Sequence, residues 1–489
     1  MKRTRAMFGI FCGVLAAASA ARAASETLPW LEDPFGGREK VAIYGTRLMP
    51  DICPPMPEDK TALTLSQVVN LSLCYNPDTK TAFLSLMNSA DTYASSYSAY
   101  LPSISSGFSR SRARNFSKGT DGKSSVSGDS DGSISASMTL YDFGQRELGI
   151  EAAELSLTAA GLGYDTTLQS AIATAIRSYY SLLTAQNAVE VATASNLFAK
   201  QSFEAAELRH QLGLVPLADK LQATVAYSQS QLSLQQAENA LSITRGSLAR
   251  LLGMPVDAAL GVAEIDDSNL TNDPFGGNVQ LLIDRAKNER SDLKSSRASL
   301  KAAEIALKRT KRSNLATITA TAGMGYDTVK MFGDDATRSQ SIGVSVSIPI
   351  FTGFTQTYNT RIAETGIKSQ MESLKASELG IEQEVWSAWH NYENAKKNWE
   401  ISWDQLASAT QLRDVTLGRY KEGLGTILDV LNAQSSYRGA LQSHLTTRLS
   451  LLTSRLDLIR AVGALNLDNI EPEPATAEIP VATNIEPAE

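Results

Sequence analysis

The sequence predicts an internally duplicated α+β chain, built from two copies of a unit that joins two strands to very long helices. Three observations predict it. Residues 145–211 and 356–422 are each free of proline, four segments alternate apolar with small polar residues, and the chain aligns with itself without a gap when shifted by 210 positions. Repetition at a fixed offset marks a structural unit used twice.

The chain opens with Lys2, Arg3 and Arg5 ahead of an apolar run over 7–18, followed by the small residues Ala18-Ser19-Ala20 and Ala21-Arg22-Ala23. This is the pattern of a secretory signal peptide over 1–23. The run is too short to cross a bilayer as a helix, and no later apolar window reaches the roughly 20 residues such a helix needs. Any membrane span must therefore be made of strands. Losing Lys2, Arg3, Arg5 and Arg22 takes the formal charge from −7 to −11, which excludes the basic footprint of a nucleic-acid binder. Cys12 falls inside the signal. Cys53 and Cys74, 21 positions apart in an exported chain, are candidates for a disulfide, the alternative being two buried thiols.

The 210-residue shift lays 209–253 on 419–463, pairing Arg209 with Arg419, Gly213 with Gly423, Asp219 with Asp429, Tyr227 with Tyr437 and Gly253 with Gly463. A second shift of 214 lays 65–101 on 279–315, where Asp78 meets Asp292 and Leu101 meets Leu315. The expected organisation is an N-terminal extension over 24–62, a first repeat over 63–253, an equatorial linker over 254–278, a second repeat over 279–465, and a disordered acidic, proline-rich tail over 466–489. That tail mixes proline, alanine and glutamate without periodicity.

Within each repeat the order is helix, two strands, long helix, sharp turn, returning helix. Residues 66–100 read as a helix broken at Asn76-Pro77, because proline lacks a donor and clashes with the preceding turn. Residues 103–108 and 133–140 alternate as strands, with Ile104, Phe108, Ile134, Ala136, Met138 and Leu140 against serines and a threonine. In the second copy Ile318, Ala320, Ala322, Met324 and Tyr326, and then Ile342, Val344, Val346 and Ile348, show the same period. Polar segments over 118–132 and 328–338 read as loops between the strands. A 67-residue helix at about 1.5 Å per residue is roughly 100 Å long, a coiled-coil length. In the last helix Leu445, Leu449, Leu452, Leu456 and Ile459 step by four and three, and Leu234, Leu241 and Leu248 lie seven apart in its counterpart.

Strands of about ten residues with one apolar and one polar face fit a membrane barrel, with hydrocarbon toward lipid and hydroxyls toward water. Four strands cannot close one, and lipid offers no partner to an open edge, so other subunits must complete it: two chains supply 8 strands, three supply 12. Tyr100, Tyr141, Phe143, Phe351, Phe354 and Tyr358 gather where strands meet helices. They fit an interfacial girdle, or ordinary packing at strand ends.

The paired strand-to-helix corners Leu140-Tyr141-Asp142-Phe143-Gly144 and Pro349-Ile350-Phe351-Thr352-Gly353 carry a resemblance. So do the two turn motifs over 211–219 and 419–433. Together they resemble the TolC-like outer-membrane efflux protein family over nearly all of 63–465. The resemblance implies an α+β membrane channel: a homotrimer whose 12-stranded β-barrel takes four strands from each chain and continues into a long α-helical coiled-coil barrel in the periplasm. It implies an exit duct for efflux or type I protein secretion, set in outer-membrane lipid. Its partners would be a periplasmic adaptor (membrane fusion protein) and an inner-membrane pump of ABC or RND type.

Gly213 and Gly423 end the long helices, and Leu214 and Leu424 lead into the returning ones. The resemblance makes these hairpin tips the periplasmic entrance. By position, Tyr420 and Asp219 match a tyrosine–aspartate clamp and Asp429 a member of an acidic ring. Gly425 replaces an arginine of some relatives, and Asn432 replaces a second aspartate. The plainer reading of Asp219 and Asp429 is that both complement helix N-termini.

No set of residues points to catalysis, a metal or a cofactor. His210, His390 and His444 lack ligand spacing. The Gly-Lys-Ser within 119–124 lacks its first glycine, and Asp129-Ser130-Asp131-Gly132 lacks the remaining ligands of a calcium loop. Trp386, Trp389, Trp399 and Trp403, three and four apart where they cluster, read as helix packing.

Overall fold

A computed structural model describes residues 33–45, 53, 55–57, 60–116, 124–265, 278–330, 334–422 and 424–465. The signal peptide, the tail, Gly423 and parts of the extension and linker lie outside the described residues. In chain order the elements are α1 (Gly37–Gly45), α2 (Leu65–Tyr75), α3 (Pro77–Ser96), a 3-10 turn (Tyr97–Tyr100), β1 (Ser103–Phe116), β2 (Ser124–Tyr141), α4 (Gln145–Gln211) and α5 (Leu217–Leu251). The order then recurs as α6 (Val279–Glu289), α7 (Ser291–Arg312), β3 (Thr317–Lys330), β4 (Asp334–Ser347), α8 (Thr355–Lys421) and α9 (Ile427–Val462). Both long helices run 67 residues. Asn76 ends α2 and Pro77 starts α3, as the missing proline donor requires.

The chain divides into two compact units. The first holds the strands, which form one antiparallel meander in the order β1-β2-β3-β4. Its register places Ile104 beside Ala136, Ala136 beside Ala322 and Ala322 beside Ile342, an apolar rung across all four strands. The neighbouring rung, Ser103, Ser137, Thr321 and Gly343, is small and polar, and Ser103 and Ser105 hydrogen-bond Ser137 and Ser135 at 2.8 Å through their hydroxyls. Among the described residues nothing covers the apolar face: Ile104 is 73% exposed and Ile342 91%.

The strands are longer than the hydrophobic pattern indicates. Much of 118–132 and 328–338, read above as loop, continues the ladders, giving strands of 14, 18, 14 and 14 residues. Ladder bonds satisfy the backbone whatever the side chains, so a strand in water need show no apolar period. At about 3.3 Å per residue, 14 residues reach about 45 Å, well beyond the roughly 25 Å apolar band of a membrane barrel.

At each strand-to-helix corner two consecutive residues adopt the left-handed conformation: Phe143 (φ 55°) with Gly144 (φ 80°), and Gly353 (φ 61°) with Phe354 (φ 66°). The 210-residue shift superposes the pairs but exchanges their residues. One glycine relieves half of each corner, while a phenylalanine bears a strain of about 1–2 kcal/mol at the other position. Arg146 pins the first corner. Its guanidinium contacts the Asp142 carboxylate at 3.1 Å, donates to Thr139 O at 2.8 Å and to Leu140 O at 3.2 Å, and lies 4.4 Å from the Tyr100 ring centroid.

The second unit is helical. Its core joins α2, α4, α5, α9 and the segment after α5 through Val68, Leu182, Leu248, Leu252 and Leu260, each at most 2% exposed. Leu63 forms a parallel bridge with Val262 that admits only glycine at 261: a Cβ there would lie 2.0 Å from the Thr61 carbonyl oxygen. Cys53 and Cys74 form a disulfide with Cα atoms 5.7 Å apart, tying the extension to α2. Gly253 and Gly463 close α5 and α9 alike, each left-handed, with Met254 N donating to Ala249 O and Ala464 N to Ile459 O. Arg290 holds the junction of α6 and α7. It pairs with Asp292 through two nitrogens, with Glu384 at 2.6 Å, and donates to Ala461 O at 3.0 Å. Leu445, Leu452 and Leu456 of the heptad seam are buried, and the Trp399 and Trp403 rings pack on His444.

Candidate functional site

Each hairpin tip follows from where its long helix stops. In the first, Gly213 (φ 73°) takes the left-handed turn, its N–H donates to His210 O, and Leu214 N donates to Arg209 O at 2.9 Å. The chain leaves through Val215 and Pro216, which starts α5 without a side-chain cap. Lys220 and Glu207 pair across this turn at 2.9 Å, and His210 Nδ1 lies 3.1 Å from Val215 O.

The second tip repeats the bond from the residue after the turn, with Leu424 N donating to Arg419 O at 2.8 Å. It differs in its cap. Thr426 and Asp429 form a reciprocal capping box: the Asp429 carboxylate accepts from Thr426 N at 3.0 Å and from its hydroxyl at 2.8 Å, while Asp429 N donates back to Thr426 Oγ1. The Thr426 N–H, its hydroxyl and the nearby Arg419 hold Asp429 below the ordinary carboxylate range, although burial slightly opposes this. Asp429 thus caps α9 and keeps its charge exposed to solvent.

The predicted site residues do not all meet. Tyr420 and Asp219 share no hydrogen bond. Instead the Arg209 guanidinium sits 4.6 Å from the Tyr420 ring centroid, joining the end of α4 to the end of α8. Asn432 is exposed on α9, three residues beyond Asp429. Farther along each hairpin the duplicated positions make corresponding contacts: Phe203 stacks on Tyr227 at 5.8 Å, and Arg413 covers Tyr437 at 4.2 Å. Neither the Arg209 contact nor the capping box was read from sequence. The Thr-x-x-Asp spacing of 426–429 was a signal for the second; the first needed the two helices placed side by side.

The tips carry exposed leucines, with Leu212 65%, Leu214 70% and Leu424 72% accessible. Among the described residues no helix is long and apolar enough to cross a membrane.

Comparison with known proteins agrees with this layout. The sequence model described as outer membrane efflux protein matches residues 68–254 and 282–464. Protein CyaE of Bordetella pertussis is 26% identical over 434 residues, 86% of this chain and 88% of the relative. Outer membrane protein TolC of Vibrio cholerae is 24% identical over 329 residues, 66% of this chain and 74% of the relative. The CmeC outer membrane channel of Campylobacter jejuni has the same fold, with a TM-score of 0.70, 18% identity, and coverage of 85% of this chain and 92% of that one.

Proposed function

This chain belongs to the outer membrane efflux protein family, and from that premise we propose that it forms the passive exit duct of an efflux or secretion assembly, with its mouth at the two hairpin tips. The family is one of channels. Three chains supply the strands of a 12-stranded barrel in the outer membrane, and their helices stand in the periplasm. A periplasmic adaptor and an inner-membrane pump complete the assembly.

The observation that carries the reading is the open sheet. A four-stranded meander with an exposed apolar face and two free edges 14 residues long is stable in lipid only when neighbouring chains cover those edges. At the mouth, three copies of Asp429 around one axis favour cations, and Asn432 keeps that field weaker than a double acidic ring would. The exposed leucines of both tips supply an apolar surface for the adaptor. Transport energy comes from the pump, so the chain needs no nucleotide site, metal or catalytic group.

The test is deletion of the gene, with secreted proteins and drug sensitivity measured side by side and plasmid-borne wild type as control. Loss of either export or resistance is expected. Unchanged secretion and unchanged sensitivity in the deletion strain, with the plasmid-borne wild-type protein missing from the outer-membrane fraction, would overturn the proposal.

A further inference from the structure

The apolar face of the sheet has an upper limit, and arginines begin there. Period-two alternation and the register put Ile104, Phe108, Arg110, Arg112 and Arg114 of β1 on the same face as Val346, Val344, Ile342 and Arg338 of β4. Val346 and Arg338 are eight residues apart, about 26 Å at ~3.3 Å per residue, which matches the roughly 25 Å apolar band of a membrane barrel. The rung that ends the band, Phe108, Gly132, Tyr326 and Arg338, carries two aromatic rings and lies toward the strand ends remote from the helices. Arg110, Arg112 and Arg114 continue β1 past it, from about 7 to about 20 Å beyond Phe108. All four arginines are exposed. Among the described residues no carboxylate pairs with Arg110, Arg112 or Arg338. The aspartates of this level belong to the other face: Asp131 and Asp327 are partners in the register, and the Asp131 carboxylate accepts from the Ser109 hydroxyl at 2.8 Å. Lys330 and Asp334 hold paired positions farther out and add no net charge. A surface that needed only solvation would mix both signs on each face; here arginine and aspartate are sorted between the two.

We propose that Arg110, Arg112 and Arg114 form a binding row for the head group of an outer-leaflet lipid that carries more than one phosphate, with Arg338 at the hydrocarbon margin. A guanidinium binds phosphate through two parallel N–H donors. Alternate side chains of one strand stand about 7 Å apart, so the row suits a head group with several anionic groups better than a single free phosphate. Three cations in line repel one another, and an anionic head group relieves that repulsion. The acyl chains of the same lipid then lie along Ile104, Phe108 and the rest of the exposed apolar face. Basic residues at a membrane surface attract anionic head groups in this way.

The inference rests on the channel reading, and the experiment separates the two. The detergent-extracted, lipid-depleted trimer is mixed with diphosphoryl lipid A, monophosphoryl lipid A or phosphatidylcholine, and bound lipid is counted by native mass spectrometry. Wild type should prefer the diphosphoryl lipid to phosphatidylcholine, with the monophosphoryl lipid between them. The variant combining Arg110→Gln, Arg112→Gln and Arg114→Gln should lose roughly tenfold for the diphosphoryl lipid, as three exposed ion pairs of under ~1 kcal/mol each allow, and nothing for phosphatidylcholine. A variant combining Lys301→Gln, Lys308→Gln and Lys368→Gln removes the same charge from exposed helix positions and should bind as wild type does. Salt should weaken wild-type binding of the diphosphoryl lipid alone, a readout that needs no variant, and excess inorganic phosphate should not displace it. Equal binding by wild type and the arginine variant, an equal loss in the lysine variant, insensitivity to salt, or displacement by inorganic phosphate overturns the inference and leaves the channel reading standing. Failure to isolate any trimer from the outer membrane defeats the channel reading itself.

Discussion

Replacing Phe354 by glycine separates the two readings of the aromatic residues at the strand-to-helix corners. Phe354 is left-handed (φ 66°) and 65% exposed in the isolated chain. If its ring only fills space, Phe354→Gly relieves a strain of about 1–2 kcal/mol and the protein gains stability. If the ring lies in the membrane interface, its exposed portion is covered by lipid. A phenylalanine offers about 150–200 Å², so roughly 100–130 Å² is at stake, about 3 kcal/mol at ~25 cal/mol per Å². The flexibility of glycine in the unfolded chain subtracts about a further 0.5–1 kcal/mol. The net expectation is a loss of about 2 kcal/mol per chain. The assay is urea unfolding in lipid vesicles at fixed protein concentration, because the midpoint of an oligomer depends on concentration. A midpoint equal to or above wild type would refute placement of this ring in lipid. Gly353→Ala is the companion: a Cβ there meets nothing within 4 Å, so any loss reports backbone strain alone.

Three further outcomes are expected. Asp429→Ala should lower the cation preference read from reversal potentials, and unchanged selectivity would remove Asp429 from the mouth. Because Thr426 holds that carboxylate below its ordinary range, the wild-type preference should persist at pH 5 and fade only below about pH 4. Arg290→Ala leaves Asp292, Glu384 and the Ala461 carbonyl without their shared guanidinium, which should cost about 3 kcal/mol in urea unfolding. Burial works to raise Asp292, but the hydrogen bond and charge of Arg290 outweigh it and lower the carboxyl overall. Its contribution is present above about pH 4 and lost as acid protonates it, so the variant should show a flatter acid limb than wild type. Cys53→Ser with Cys74→Ser should cost about 3 kcal/mol, the loop-closure value for a bridge of this span, and reduction of wild type should reproduce it. Two alkylatable thiols in exported protein would contradict the bridge.

Helices were the most legible part of the chain. The two 67-residue rods could be read almost to the residue, because proline, glycine and the strand-to-helix corners bound them sharply. Strands were legible only where an apolar face exists. Beyond Phe108 and before Ser133 the backbone keeps its ladder bonds while the hydropathy signal ends, so the second half of β1 shows no strand pattern and the first half of β2 reads as loop. Phe143 and Phe354 show a different limit. Local sequence calls for glycine at a left-handed residue, and a phenylalanine tolerated there is visible only from the backbone. At the tips, Asp429 could be read in two roles. Its bonds to Thr426 put it in the capping box, and its exposed charge leaves the pore role compatible with that cap.

The energetics of the sheet and of the hairpin tips differ in kind. Each subunit presents two sheet edges of 14 residues, and pairing them satisfies backbone groups that lipid cannot. At the tips, by contrast, the intrachain contact is one guanidinium over one ring, worth about 0.5–1 kcal/mol where exposed. Assembly must therefore be secured by the sheet, since no single tip contact of that size could hold a trimer together. The same weakness suits the mouth. Contacts of less than ~1 kcal/mol can be broken by a docking partner without disturbing the barrel, whereas a mouth closed by buried ion pairs such as the Arg290 network would demand several times more per subunit. Substituting residues around Arg290 should accordingly destabilise the helical unit, whereas substituting Arg209 or Tyr420 should change how readily the channel opens while leaving the trimer intact.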